Sequence, residues 1–228
     1  MSTPLNYRLI RSKRREKTLS LHIQEDGRIV VYVPYHTPQK EIERFLEKRS
    51  GWISGKLSEK ERTVRPLERR FCPGEPFLYL GEMYPLEIED TPLQRPSLKL
   101  SFGKFILNCN CIEEARQLFV AFYRREAKEK LRERAAYYSN RLQLFHRGVK
   151  ITNARSRWGS CSTRNRLCFS WRLAMAPLHV LDYVLIHELV HIQEKNHSRR
   201  FWNHLGSLVP DYKECQRWLR EHEPLMHL

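Results

Sequence analysis

Residues 187–197 read HELVHIQEKNH. On a helix, His187 and His191 are four positions apart and project from one face about a turn apart. That spacing lets two imidazoles reach one zinc ion at about 2.0–2.1 Å. Glu188 follows the first histidine directly, beside the metal but off the ligand line. There a carboxylate can take a proton from metal-bound water and pass it to a leaving group. Zinc lowers the pKa of its water towards neutrality, so a weak base suffices. His197 comes six residues after His191, beyond a polar break at Lys195-Asn196 that can turn the chain back. Three histidines leave a fourth position open for water, the arrangement of a catalytic rather than a structural zinc site. His187, His191 and His197 are the expected ligands of Zn2+, and Glu188 the expected catalytic acid/base.

An H-E-x-x-H match also arises by chance. The rival account is three unrelated histidines, two of them buried and satisfied by hydrogen bonds. The chain has ten histidines, and three falling at this spacing around a glutamate disfavours coincidence. The apolar neighbours Val184, Leu185, Ile186, Leu189 and Val190 suit a buried active-site helix.

The elements that must position these groups are legible in outline. The 18–34 stretch, TLSLHIQEDGRIVVYVP, alternates Leu19, Leu21 and Ile23 with polar partners, turns at Asp26-Gly27 and resumes at Ile29. Pro38 can sit in the first turn of a helix running to about residue 60, with Ile42, Phe45, Leu46, Trp52, Ile53 and Leu57 apolar and a break at Gly51. FLYLGEMYPLEIED (77–90) and SLKLSFGKFILN (97–108) each read as strand, turn, strand. Between 112 and 144, Leu118, Phe119, Phe122, Leu131, Ala135, Tyr138 and Leu142 recur at helical spacing, opposite a face dense in Arg, Lys and Glu. VKITNARSRWGSCS and RLCFSWRLAMAP read as two strands around a turn at Thr163-Arg164-Asn165. Pro177 opens a helix to about residue 193, and shorter helices follow at 199–208 and about 211–222. The expected fold class is α+β: a β-rich N-terminal region (1–110), then a long connecting helix and the catalytic region (111–228).

Bulk properties narrow the partners. The 228 residues suffice for one sizeable domain or two small ones. No run of 18 apolar residues argues for a membrane span, and the N-terminus lacks the pattern of a secretory signal, so a cytoplasmic location without membrane association is expected. The six cysteines show no C-x-x-C spacing and suit a reducing compartment; Cys109 and Cys111 fit a strand alternation better than a metal pair. The 41 Lys+Arg against 26 Asp+Glu give a net charge of +15, which favours nucleic acid, nucleotides or other polyanions, or else describes a solvated basic surface.

The runs WGSCS (158–162), LDYVLIHELVHIQEKNHSRRFW (181–202) and VPDYKECQRWL (209–219) together resemble the YgjP-like, or SprT-like, zinc metallopeptidases. The resemblance is strongest over 150–222 and looser in the N-terminal half. It implies a zincin-like C-terminal domain (a small sheet plus the H-E-x-x-H helix), with His187, His191 and His197 as ligands and Glu188 as acid/base. The H-E-x-x-H-x5-H spacing is shared with Wss-type proteases and with metzincins. Metzincins place Gly where this chain has Glu194, and Met226 lies too near the C-terminus for a Met-turn, so that class is rejected.

Around the motif, Arg155, Arg157, Arg164 and Arg166 bracket WGSCS and either bind an anionic or developing oxyanion group or form a solvated basic edge. Gly159 and Trp158 suit packing and a close backbone approach, Cys161 a structural thiol, and Phe201 and Trp202 an anchor that keeps His197 in place. Tyr183, one turn before His187, suits a half-buried packing role more than a place in the site. Asn153 and Ser160 have no assignable role. The expected function is a zinc hydrolase, foremost a peptidase acting on polypeptide. The alternatives are a metal-dependent hydrolase of nucleotide phosphoanhydrides using the nearby arginines, and a non-enzymatic zinc-stabilised nucleic-acid-binding module, which would not need Glu188.

Overall fold

The computed structural model describes residues 6–12, 18–24, 28–55, 69–89, 95–109 and 111–228, in two compact units, Met1–Arg65 and Pro66–Leu228. In the first unit, β3 (Ile29–Pro34) is the central strand, antiparallel to β2 (Ser20–Ile23) and parallel to β1 (Tyr7–Ser12). The Asp26-Gly27 turn between β2 and β3 lies outside the described residues. Helix α1 (Gln39–Glu47) begins after Pro38, which stands at the N-cap rather than within the first turn. Residues 50–55 are helical again, so the break falls just before Gly51. Leu57 lies outside the described residues. Ile29, Val31 and Val33 point to one side of β3 and pack with Ile42, Leu46 and Ile53, the repeat of two meeting the helical repeat.

The second unit holds a four-stranded sheet ordered β4-β5-β7-β6, from β4 (Pro76–Tyr79), β5 (Glu82–Ile88), β6 (Ser97–Ser101) and β7 (Lys104–Asn108). Helix α2 (Ile112–Leu142) buries Ala115, Phe119, Phe122, Ala127, Leu131 and Ala135 along one stripe. Its aromatic residues pack on the sheet: Phe119 stacks on Phe77 at 4.1 Å, and Phe105 meets Phe119 and Phe122 at 5.1 and 5.2 Å. The strands of 76–108 therefore share one core with everything downstream, and the compact units meet at Arg65–Pro66 instead of at residue 110. The β-pattern up to 110 spans two cores, which periodicity cannot separate.

A three-stranded sheet, ordered β8-β10-β9, follows from β8 (Val149–Thr152), β9 (Gly159–Cys161) and β10 (Leu167–Ser170). The expectation of two strands here becomes three, because residues 153–158 leave the β8 ladder and β9 returns antiparallel to β10. Residues Trp171–Met175 form a 3-10 turn rather than continuing a strand. Helices α3 (Leu178–Val190), α4 (Arg199–Leu208) and α5 (Tyr212–His222) complete the unit. The fold is α+β, with small sheets and helices. Among the described residues, no helix is long and apolar enough to cross a membrane.

Candidate metal centre

Helix α3 is held near its start, ahead of its histidines. The β4–β5 turn straps its start: the Leu80 and Gly81 N–H groups donate to the carbonyls of Ala174 and Met175 at 3.0 and 2.9 Å. Gly81 has φ +89°, and a Cβ there would lie 2.6 Å from Cγ of Pro177, the N-cap residue of α3. Only glycine fits this approach. One turn on, buried Asp182 accepts Nε of Arg134 at 2.7 Å, a second Arg134 nitrogen, and the Tyr138 hydroxyl at 3.0 Å, tying α3 to α2.

Helix α3 ends at Val190, earlier than residue 193, because its last turn tightens: Ile192 and Gln193 donate to Leu189 and Val190, three residues back. His191 is thus the C-cap residue. Its Nδ1 lies 2.9 Å from the carbonyl oxygen of Glu194, which can only accept, so Nδ1 donates there and Nε2 is the nitrogen left to face a metal. The chain then reverses through Asn196, whose side chain accepts the Ser198 N–H, and Ser198 caps α4 by accepting the Phe201 N–H.

This reversal brings His197 to His187, Nε2 to Nε2 at 3.0 Å. His187, His191 and His197 each offer a ring nitrogen, and all three nitrogens lie within 4.8 Å of one another. A tetrahedral zinc with ligands at 2.0–2.1 Å separates them by roughly 3.3–3.4 Å, so the set fits one ion with small adjustments. Burial, with the like charge of His191 and His197 added, pushes the His187 pKa down to about 3. The ring therefore stays neutral near pH 7, as a metal ligand must. Phe201 is fully buried and holds the cluster, its ring 4.8, 4.6 and 4.7 Å from those of His187, His191 and His197. Trp202 stacks on His197 at 5.6 Å, so the expected anchor is observed, and Phe201 touches all three rings rather than one.

Glu188 is 5% exposed, and its Oε2 has no hydrogen-bond partner among the described residues. Burial pushes its carboxyl up to about 7, against an opposing pull from Arg157. Gly159, in the edge strand β9, explains how a carboxylate fits there: a Cβ would stand 2.7 Å from both Cγ and Oε1 of Glu188. The close backbone approach expected of Gly159 is to Glu188 itself. No local sequence signal could have named that partner.

The four arginines around WGSCS do not form one group. Arg155, Arg157 and Arg164 are exposed and lie off the strands. Arg157 is the one whose charge reaches Glu188, Arg155 acts on Arg172, and Arg166 lines a separate cleft. Burial raises the Cys161 thiol, so a thiolate nucleophile is disfavoured there. Tyr183 is buried rather than half-buried, edge-on to His187 at 6.0 Å. Asn153 gains a role: its Oδ1 accepts Trp171 Nε1 at 2.8 Å and Arg172 at 3.3 Å. Arg172 is buried over the Trp171 ring, a placement without a sequence signal, since an arginine beside a tryptophan carries no pattern of its own.

Neither the curated proteins nor the solved structures compared with the chain contain a match. The model of the YgjP-like, metallopeptidase domain family, however, matches residues 17–222, nearly the whole chain and all of the histidine cluster, and the chain belongs to that family.

Proposed function

We propose that this chain is a zinc-dependent metallopeptidase cleaving polypeptide bonds, with His187, His191 and His197 holding the metal and Glu188 as catalytic acid/base. The observation that carries the reading is the convergence of three imidazoles from two sides of a chain reversal, next to a buried carboxylate with an unpartnered oxygen. When bound, zinc supplies Lewis acidity that polarises the scissile carbonyl and makes the attacking water more acidic. Glu188 takes the proton from that water and returns it to the leaving amine. A carboxyl raised to about 7 is matched to exchanging a proton near neutral pH. The Glu194 carbonyl orients the His191 ring, as a hydrogen-bonded outer partner of a ligating imidazole does. Strand β9 lies at its sheet's edge with Gly159 against Glu188, which supports an extended polypeptide as the substrate lying there.

Purified protein should hold about one equivalent of zinc, the stoichiometry of a three-histidine site. His191→Ala should lose it, while Glu188→Gln should keep it and abolish turnover of unfolded polypeptide. A panel of nucleoside triphosphates run alongside separates the peptidase from the phosphoanhydride hydrolase. Nucleotide hydrolysis lost in Glu188→Gln, with no peptide cleavage, would replace the peptidase reading.

A further inference from the structure

We infer that a second site, a cationic cleft beside α2, binds the sugar–phosphate backbone of a nucleic acid. The cleft has a volume of about 720 Å³ and lies where α2 passes the start of β8. Six of its nine lining residues are cationic: Arg124, Arg125 and Lys128 from α2, Arg147 and Lys150 from the β8 edge, and Arg166 from the turn before β10. No acidic residue lines it, and all six cations are exposed. None of the metal-centre histidines takes part, so the inference stands independently of the peptidase reading.

Five of the six charges are uncompensated among the described residues. Arg125 pairs with its neighbour Glu126, but among the described residues the side chains of Arg124, Lys128, Arg147, Lys150 and Arg166 form no ion pair. Arg124 and Lys128 stand four apart on α2, a like-charge spacing that destabilises a helix. Five cations without an ion pair, facing one open cleft, create a field for a polyanion. Four of the six are arginines, whose planar forks grip phosphate oxygens bidentately. No aromatic side chain lines the cleft, so it lacks the stacking platform that single strands require. The contact it can make is with the backbone and carries no sequence information. The net charge of +15 adds long-range attraction, while the cleft gives it a place to act.

The test is fluorescence polarisation of the full chain with a labelled duplex of scrambled sequence, DNA and RNA in separate arms, between about 50 and 200 mM salt. The parent should bind both, with affinity falling steeply as salt rises. Lys128→Gln/Lys150→Gln should weaken binding roughly tenfold and flatten the log–log salt slope by about 1.8, the share of two phosphate contacts. Lys213→Gln/Arg220→Gln on α5 carries the same net-charge change and should leave binding within roughly twofold, if local contacts rather than net charge set the affinity. All four side chains are exposed, and unchanged melting of both variants verifies that the fold is intact. Equal losses in the two variants would overturn the site, as would absence of duplex binding by the parent. Displacement by polyglutamate as readily as by unlabelled duplex would assign the cleft to acidic polypeptide, and strong preference for single strands would refute a backbone-only contact.

Discussion

At the scale of single residues, the candidate centre depends as much on what is missing as on what is present. Glu188 is buried where a side chain on the facing strand would collide with it, and Gly159 removes that side chain. Its backbone has no positive φ, so alanine there is free of backbone strain, and the three atoms nearest its Cβ all belong to Glu188. Gly159→Ala should keep zinc, because its closest contacts are with Glu188 and not with a histidine, yet lower peptide turnover roughly 100-fold, the usual consequence of misplacing a reacting group by about 1 Å. Metal analysis beside turnover of an unfolded polypeptide is the check, and a variant as active as the parent would sink the idea. The histidines themselves are legible in sequence because their relation is local: i, i+4 on one helix, then a polar break. Gly159 and Glu188 lie 29 positions apart, and their contact exists only once β9 and α3 pack. For the same reason the sequence could not show Phe201 touching all three imidazoles, nor the Glu194 carbonyl fixing the His191 proton.

At the scale of elements, the helix that carries His187 and Glu188 is tied to α2 by a charged cluster. Asp182 on α3 meets Arg134 and Tyr138 on α2, with the two charged side chains 12% and 24% exposed. Two nitrogens of Arg134 engage two oxygens of Asp182, the fork geometry in which an ion pair gains most. Removing one partner leaves the other charge poorly solvated, a loss of about 3 kcal/mol at the low end of the buried range because Arg134 keeps some exposure. Asp182→Leu should therefore unfold at lower denaturant with unchanged slope, and Arg134→Leu/Asp182→Leu should recover most of the difference. A double variant as unstable as the single one would show that the pair contributes shape rather than charge. Among these elements, α2, α4 and α5 are predictable from their periodicity. Strand β9 is not, since three residues of Gly-Ser-Cys show no alternation, and β1 is invisible because its ladder partner β3 lies more than twenty residues downstream. The early end of α3 depends on bonds to residues three back, which apolar spacing does not encode.

At the scale of the molecule, the described residues hold two separate hydrophobic cores, one around Val31, Val33 and Ile42, the other around α2, α3 and the two sheets of Pro66–Leu228. The histidine cluster lies wholly in the second unit, and Phe201 joins it directly to that core. A ligand that binds only the folded state raises its stability by mass action, about 2.7 kcal/mol at a free concentration 100-fold above Kd. For a unit of this size, that corresponds to a rise in Tm of roughly 5–10 °C. Calorimetry of metal-free chain with and without zinc should therefore move the transition of Pro66–Leu228 upward and leave that of Met1–Arg65 in place, since the smaller unit's core contains none of the three clustered histidines. His191→Ala should abolish the shift, whereas Glu188→Gln should retain it, separating metal binding from catalysis without any substrate. A single transition indifferent to zinc would reject the metal centre, and an equal shift in both transitions would reject its confinement to the larger core.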